Sequence, residues 1–171
     1  VENLSAYFSE AALMKYRLKV EIEYLIALGN EKKIKDLPPF SNGQQSRLRK
    51  FYQNFNSTCA KQVKTIETTT NHDVKAIEYY LQTKIKKSLH PWVHFGLTSE
   101  DINNLSYSLM WQDGLKQVYV PTLQSVNNLL KGFAKKYKNT SMLALTHGQP
   151  ATPTTFGKEF AVFYVRLGRQ I

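Results

Sequence analysis

Only one cysteine, Cys59, occurs among the 171 residues, so an internal disulfide is excluded and nothing signals an oxidising compartment. A reducing cytoplasm is the expected setting. Glycine and proline are also sparse, at eight and six, below the roughly 7% and 5% of average proteins. Few turn-formers imply long elements. No apolar run approaches the roughly 18 residues of a membrane span, and the opening VENLSAYFSEAAL has neither a basic leader nor the continuous apolar core of a signal peptide. Because the chain starts at Val1 without an initiator Met, further residues ahead of it are expected. Acidic residues are the scarcer charge, 13 against 23 Lys and Arg, which leaves +10. That excess keeps three partners open: nucleic acid, an acidic membrane, or an anionic small molecule. Apolar residues at 42% and aromatics at 12% exclude a solvated polar tail, and a compact chain of this length buries about 70% of its unfolded surface.

What is present is helical periodicity. Met14, Leu18, Ile22 and Leu25 share one face of a helix predicted from Ser9 to Leu28, with Gly29 as its closing residue. Pro38 and Pro39 force a loop, and Ser41 with Gln44 forms a capping box for a second helix. Its stripe, Leu48, Phe51, Phe55, Cys59 and Val63, runs unbroken and makes Cys59 a small core residue rather than a reactive thiol. Val74, Ile77, Leu81 and Ile85 mark a third helix, closed by Lys84, Lys86 and Lys87. Ser88 to Pro91 is the best domain boundary. Ile102, Leu105 and Leu109 open a long helical pattern that Pro121 should kink or break. Leu123, Val126, Leu130, Phe133 and Tyr137 then follow the a/d spacing of a bundle seam. Phe156, Phe160, Phe163 and Leu167 form a stripe still running at Ile171, so the chain is expected to be a fragment of a larger all-α protein.

Three polar segments interrupt these helices: Thr69 to Asp73, His94 to Asp101, and Thr146 to Pro153. Each sets a histidine among hydroxyl, amide or carboxyl groups ahead of a helical pattern. Helix starts carry unpaired amide protons and partial positive charge, which suits phosphate or carboxylate. Ordinary capping is the alternative reading, and Thr98 with Asp101 has capping-box spacing. Three of the four histidines lie in these segments, and His90, in the linker, gets no role. No histidine pair has metal-ligand spacing on a helix, and no Gly-x-Ser-x-Gly turn occurs, so the histidines read as proton donors or anion ligands.

These segments resemble a known family. Thr-His-Gly-Gln-Pro-Ala-Thr-Pro (146–153), followed by Gly157, Lys158 and Glu159, is similar to a signature of the fumarase and aspartase superfamily in its adenylosuccinate lyase form. Thr-Thr-Asn-His-Asp-Val-Lys-Ala (69–76) and His-Phe-Gly-Leu-Thr-Ser-Glu-Asp-Ile-Asn-Asn-Leu (94–105) resemble that enzyme's two earlier signatures in its bacterial-type branch. Phe-Ser-Glu (8–10) fits the same branch.

The resemblance implies an all-α fold, with a small N-terminal helical domain over 1–87 and the first part of a central bundle domain over 88–171, cut short at its end. It implies a cytoplasmic homotetramer whose active sites are shared between subunits, and no metal or organic cofactor. The implied reaction is β-elimination of fumarate from adenylosuccinate, giving AMP, and from succinyl-aminoimidazole-carboxamide ribotide in purine biosynthesis. Carried over by position, His147 matches the general acid. Asn71, His72 and Asp73 match a substrate-binding tripeptide, with His72 near the phosphate or assisting the acid. Thr98 and Ser99 match residues that bind a substrate carboxylate, His94 matches a further site histidine, and Lys158 is either an anion contact or a solvated side chain. The family's Arg-Tyr pair would precede Val1, and its Gly-Ser-Ser-x-Met-Pro-x-Lys loop, which bears the base serine, would follow Ile171. The 171 residues alone are therefore expected to be inactive. Alternatives are another lyase of the superfamily, and a basic helical module that binds nucleic acid.

Overall fold

The Ser9 hydroxyl accepts the amide N–H of Ala12 and opens the longest helix of the chain, α2 (Glu10–Asn30). A short helix, α1 (Glu2–Phe8), precedes it and was not foreseen from the apolar spacing. The computed structural model describes residues 2–171. The remaining helices are α3 (Asn42–Gln53), α4 (Ser57–Thr70), α5 (Asp73–Gln82), α6 (Ser99–Gly114), α7 (Val120–Lys136) and α8 (Phe156–Gly168). A single two-stranded antiparallel hairpin, β1 (Ser141–Thr146) and β2 (Gln149–Thr155), is the only sheet among the described residues. The all-α expectation holds.

The chain divides into two compact units, one ending at Gly114 and the other running from Leu115 to Ile171. In the first, α2 is the central element. Leu18, Ile22 and Leu25 on its expected stripe are fully buried, and α3, α4, α5 and α6 pack around it. Ile77 and Leu81 of α5 and Val63 of α4 complete the core. Cys59 is half-buried against that core. In the second unit, α7 packs against α8 through a ladder of rings: Phe133 to Phe160 at 5.2 Å and Tyr137 to Phe156 at 5.3 Å between centroids.

Local chemistry explains where the sequence reading succeeds. Ser41 and Gln44 form the reciprocal capping box at the start of α3. Pro121 has no amide proton for the Gln117 carbonyl, and the helix widens to a π turn over Leu115–Tyr119 just ahead of it.

Other expectations are corrected. The stripe from Leu48 to Val63 belongs to two helices, because Asn54 ends α3 and the Asn56 side chain accepts the Cys59 amide to begin α4. Gly29 lies inside α2 and is buried, and the helix closes at Asn30. α5 ends at Gln82, before Lys84, Lys86 and Lys87, so the cluster does not close that helix, and a 3-10 turn (Lys87–Trp92) follows. The segment 146–153, expected as a loop, is mostly hairpin. Its prolines, Pro150 and Pro153, hid the strand; in a two-stranded ribbon both strands are edges, so the missing donors need no partner.

Candidate active site

Every left-handed residue among the described residues falls in the three polar segments. The non-glycine cases are Asn71, His94 and His147, at φ of 50°, 60° and 52°, and the glycines are Gly96 and Gly148. Backbone in this region is uncommon for side chains with a Cβ, and it clusters where surrounding structure fixes a functional loop. Two of the three non-glycine cases are the histidines themselves.

In the first segment Asn71 ends α4 in the left-handed cap and His72 starts α5. Nδ1 of His72 accepts the Lys75 amide at 3.2 Å, which makes the imidazole the helix cap and puts a neutral ring's proton on Nε2. Capping here thus falls to the histidine and not to Ser, Thr or Asp, the residue types of the ordinary capping reading. Asp73 accepts the Val74 amide at 2.9 Å and a guanidinium N–H of Arg17 at 2.7 Å. Burial pushes the Asp73 carboxyl up, but Arg17 and the Val74 amide outweigh it and leave it below the ordinary value.

The second segment is held from beneath by α2. His94 Nδ1 lies 2.6 Å from Oε1 of Glu21, whose side chain is fully buried, and 3.8 Å from Oε1 of Glu78. Lys75 neutralises Glu78 at 2.7 Å. Burial raises the Glu21 carboxyl above its ordinary value, and the His94 hydrogen bond offsets this only in part. Tyr24, one turn along, donates its hydroxyl to the Phe95 carbonyl at 2.9 Å. At the start of α6 the amide and hydroxyl of Thr98 both donate to Oδ2 of Asp101, at 2.7 and 2.9 Å. Those hydrogen bonds hold the Asp101 carboxyl below its ordinary value. The two donors of Thr98 thus converge on a carboxylate, and half-buried Ser99 begins the helix beside them.

The third segment is built differently. His147 and Gly148 are the two central residues of the hairpin turn, with Thr146 paired to Gln149, and their positive φ values make it a type I′ turn. Its side chain is exposed at the tip. The expectation that this histidine sits just before a helix is corrected, because β2 intervenes before α8. Lys158, in the first turn of α8, pairs with Glu159 at 2.9 Å.

Asn71, His72, Asp73, His94, Thr98 and Ser99 belong to the first unit, where α2, α5 and α6 bring their two segments together; His147 belongs to the second. Sequence reasoning missed the supports: Arg17, Glu21, Glu78 and Tyr24. A signal was available. Glu21 continues the apolar spacing of Met14 and Leu18, and Arg17 is three residues from Met14, so two charges stand on a buried stripe, at 5% and 1% exposure. Buried charges demand partners.

Known proteins give the family. The lyase family matches the chain over residues 1–171. A protein named adenylosuccinate lyase from Dictyostelium discoideum is 46% identical, covering 100% of this chain and 38% of the relative. One of the same name from Escherichia coli strain K12 is 41% identical over 99% of this chain and 38% of its own length. The chain thus spans well under half of these relatives. Among solved structures, a fumarate lyase from Mesorhizobium sp. BNC1 superposes with a TM-score of 0.76 at 20% identity, over 98% of this chain and 38% of that one. A β-carboxy-cis,cis-muconate cycloisomerase from Acinetobacter calcoaceticus sp. ADP1 gives 0.74 at 19% identity. With the matched profile covering its whole length, three histidine-bearing segments in order and this fold, the chain belongs to the lyase family.

Proposed function

We propose that this chain is part of an adenylosuccinate lyase, which eliminates fumarate from adenylosuccinate to give AMP and does the same to succinyl-aminoimidazole-carboxamide ribotide. The observation that carries this reading is that relatives bearing that name are 41 to 46% identical over nearly all of the chain, while the left-handed backbone among the described residues lies in the three histidine segments. β-Elimination removes a proton from the carbon next to a carboxylate, and the electron pair forms the C=C bond of fumarate as the C–N bond breaks. The departing nitrogen then needs a proton.

His147 gives that proton. An exposed imidazole on a rigid two-residue turn suits the task, because its backbone is set before substrate arrives. Asn71, His72 and Asp73 bind the nucleotide. His72 serves with its Nε2–H, since Nδ1 is committed to the Lys75 amide; Asp73, already neutralised by Arg17, holds a neighbouring group rather than repelling phosphate. Thr98 and Ser99 bind a substrate carboxylate, with the Asp101 contact as the pattern of how Thr98 receives one. The base comes from outside these 171 residues, active sites are shared in a cytoplasmic homotetramer, and residues 88–171 enter its bundle domain after a helical domain over 1–87.

The test is an assay of the full-length protein with adenylosuccinate, following AMP and fumarate. Turnover is expected, and His147→Asn should lower kcat by about a hundred-fold or more. A polypeptide of residues 1–171 alone should show none. Turnover of a different fumarate-forming substrate, with adenylosuccinate untouched, would overturn the assignment.

A further inference from the structure

Glu21 stands in an unusual position for a carboxylate. Its side chain is fully buried, one oxygen meets His94 Nδ1 at 2.6 Å, and the other, Oε2, has no hydrogen-bond partner among the described residues. Of the neighbouring carboxylates two are paired with cations, and the third is exposed and hydrogen-bonded. Glu78 of α5 is neutralised by Lys75 at 2.7 Å, Asp73 by Arg17 at 2.7 Å, and Asp101 of α6 is held by Thr98. Only the Glu21 and His94 pair remains, and an uncompensated charge there would be costly.

A net-neutral pair holds two exchangeable protons, either as carboxylate with imidazolium or as carboxylic acid with imidazole. In both forms one proton lies between Oε1 and Nδ1. The other sits on Nε2, because the remaining net-neutral arrangement, an acid proton on Oε2 with imidazole protonated at Nδ1, would leave that O–H buried without an acceptor. A pair with only the Nδ1 proton would leave Nε2 as an acceptor, but it would also leave a bare negative charge in the core. Burial therefore selects the donor form. The His94 side chain is 13% exposed, so the ring has an open side, while its φ of 60° and the Tyr24 hydrogen bond to Phe95 fix the loop around it.

We propose that Glu21 is the positioning residue for His94, holding Nδ1 so that Nε2 presents a hydrogen-bond donor to an anionic group of the substrate, a carboxylate or a phosphate. This rests on the placement of His94 in the lyase site argued above. It makes α2 the element that sets the chemistry of the second segment.

The experiment is a double-mutant cycle in the full-length enzyme with adenylosuccinate as probe. His94→Asn should raise KM about ten-fold, Glu21→Gln should raise KM by a similar factor with a smaller change in kcat, and the double variant should be no worse than His94→Asn alone. Effects that multiply, or an unchanged KM in Glu21→Gln, would overturn the role of Glu21 while leaving His94 in the site. An unchanged KM in His94→Asn would overturn both. Should Glu21→Gln fail to fold, the nitrogen-15 spectrum of wild-type protein labelled at histidine decides: a protonated Nε2 at His94 supports the proposal and a bare Nε2 refutes it.

Discussion

Arg17 and Asp73 meet at 2.7 Å across α2 and α5, and the same guanidinium donates through Nε to Oδ1 of Asn103 in α6 at 3.0 Å. One buried cation therefore ties the first histidine segment to the helix that follows the second. Four residues on, one turn along the same helix, Glu21 reaches His94. A support for each segment thus comes from the same helix, α2.

Replacing Arg17 by Met should destabilise the first unit by about 2 kcal/mol, the cost of losing charge-assisted hydrogen bonds from a buried donor. The loss stays below that of a fully buried pair because the Asp73 side chain is half exposed and regains water. Denaturant unfolding of the purified protein measures it; a midpoint equal to wild type would show that the pair contributes nothing.

The pH dependence of stability should carry opposite signs at the two carboxylates. Asp73 lies below its ordinary value, so its contribution is present above that value and lost as pH falls through the folded one. Glu21 lies above its ordinary value, so its contribution is present at low pH and lost as pH rises through the folded one. Asp73→Asn should therefore flatten the acid side of a plot of unfolding midpoint against pH, and Glu21→Gln should flatten the side above it. Matching slopes in wild type and variant would count against either assignment.

Gly157 should not tolerate even Ala. A Cβ there would run into the Ala134 carbonyl oxygen and would lie 2.6 Å from the Lys138 amide nitrogen, both backbone atoms that cannot swing aside. Gly157→Ala should cost about 3 kcal/mol by forcing α8 away from the end of α7. Hydrogen exchange in α7 and α8 would report it as faster opening of both helices.

At the hairpin tip, His147→Asn should keep the turn, since Asn accepts the left-handed region, while Gly148→Val should strain it by about 1 to 2 kcal/mol. The amides of Ser141 to Leu145 should exchange at the wild-type rate in the first variant and faster in the second. Lost activity with wild-type exchange in His147→Asn would separate the proton donor from the scaffold.

Much of this was readable from the chain. The stripe of Leu18, Ile22 and Leu25, the Ser41 box and the irregularity ahead of Pro121 depend on neighbours within a few residues, and such local effects are written in spacing and side-chain type. The three segments were legible as well, because histidine among hydroxyls and amides stands out between apolar helices. The hairpin was not, since Pro150 and Pro153 mask strand pairing and only the His147–Gly148 turn closes it. Asn54 and Asn56 likewise hid a helix break inside a continuous apolar stripe.

By itself the sequence determined a helical chain with three polar segments, and their residue types determined which chemistry they could perform. Tertiary structure decided what holds them. Whether Arg17 and Glu21 face water or the segments depends on how α5 and α6 pack on α2, a long-range contact that no local spacing encodes. Burial then turns those two charges from surface features into the groups that orient Asp73 and His94.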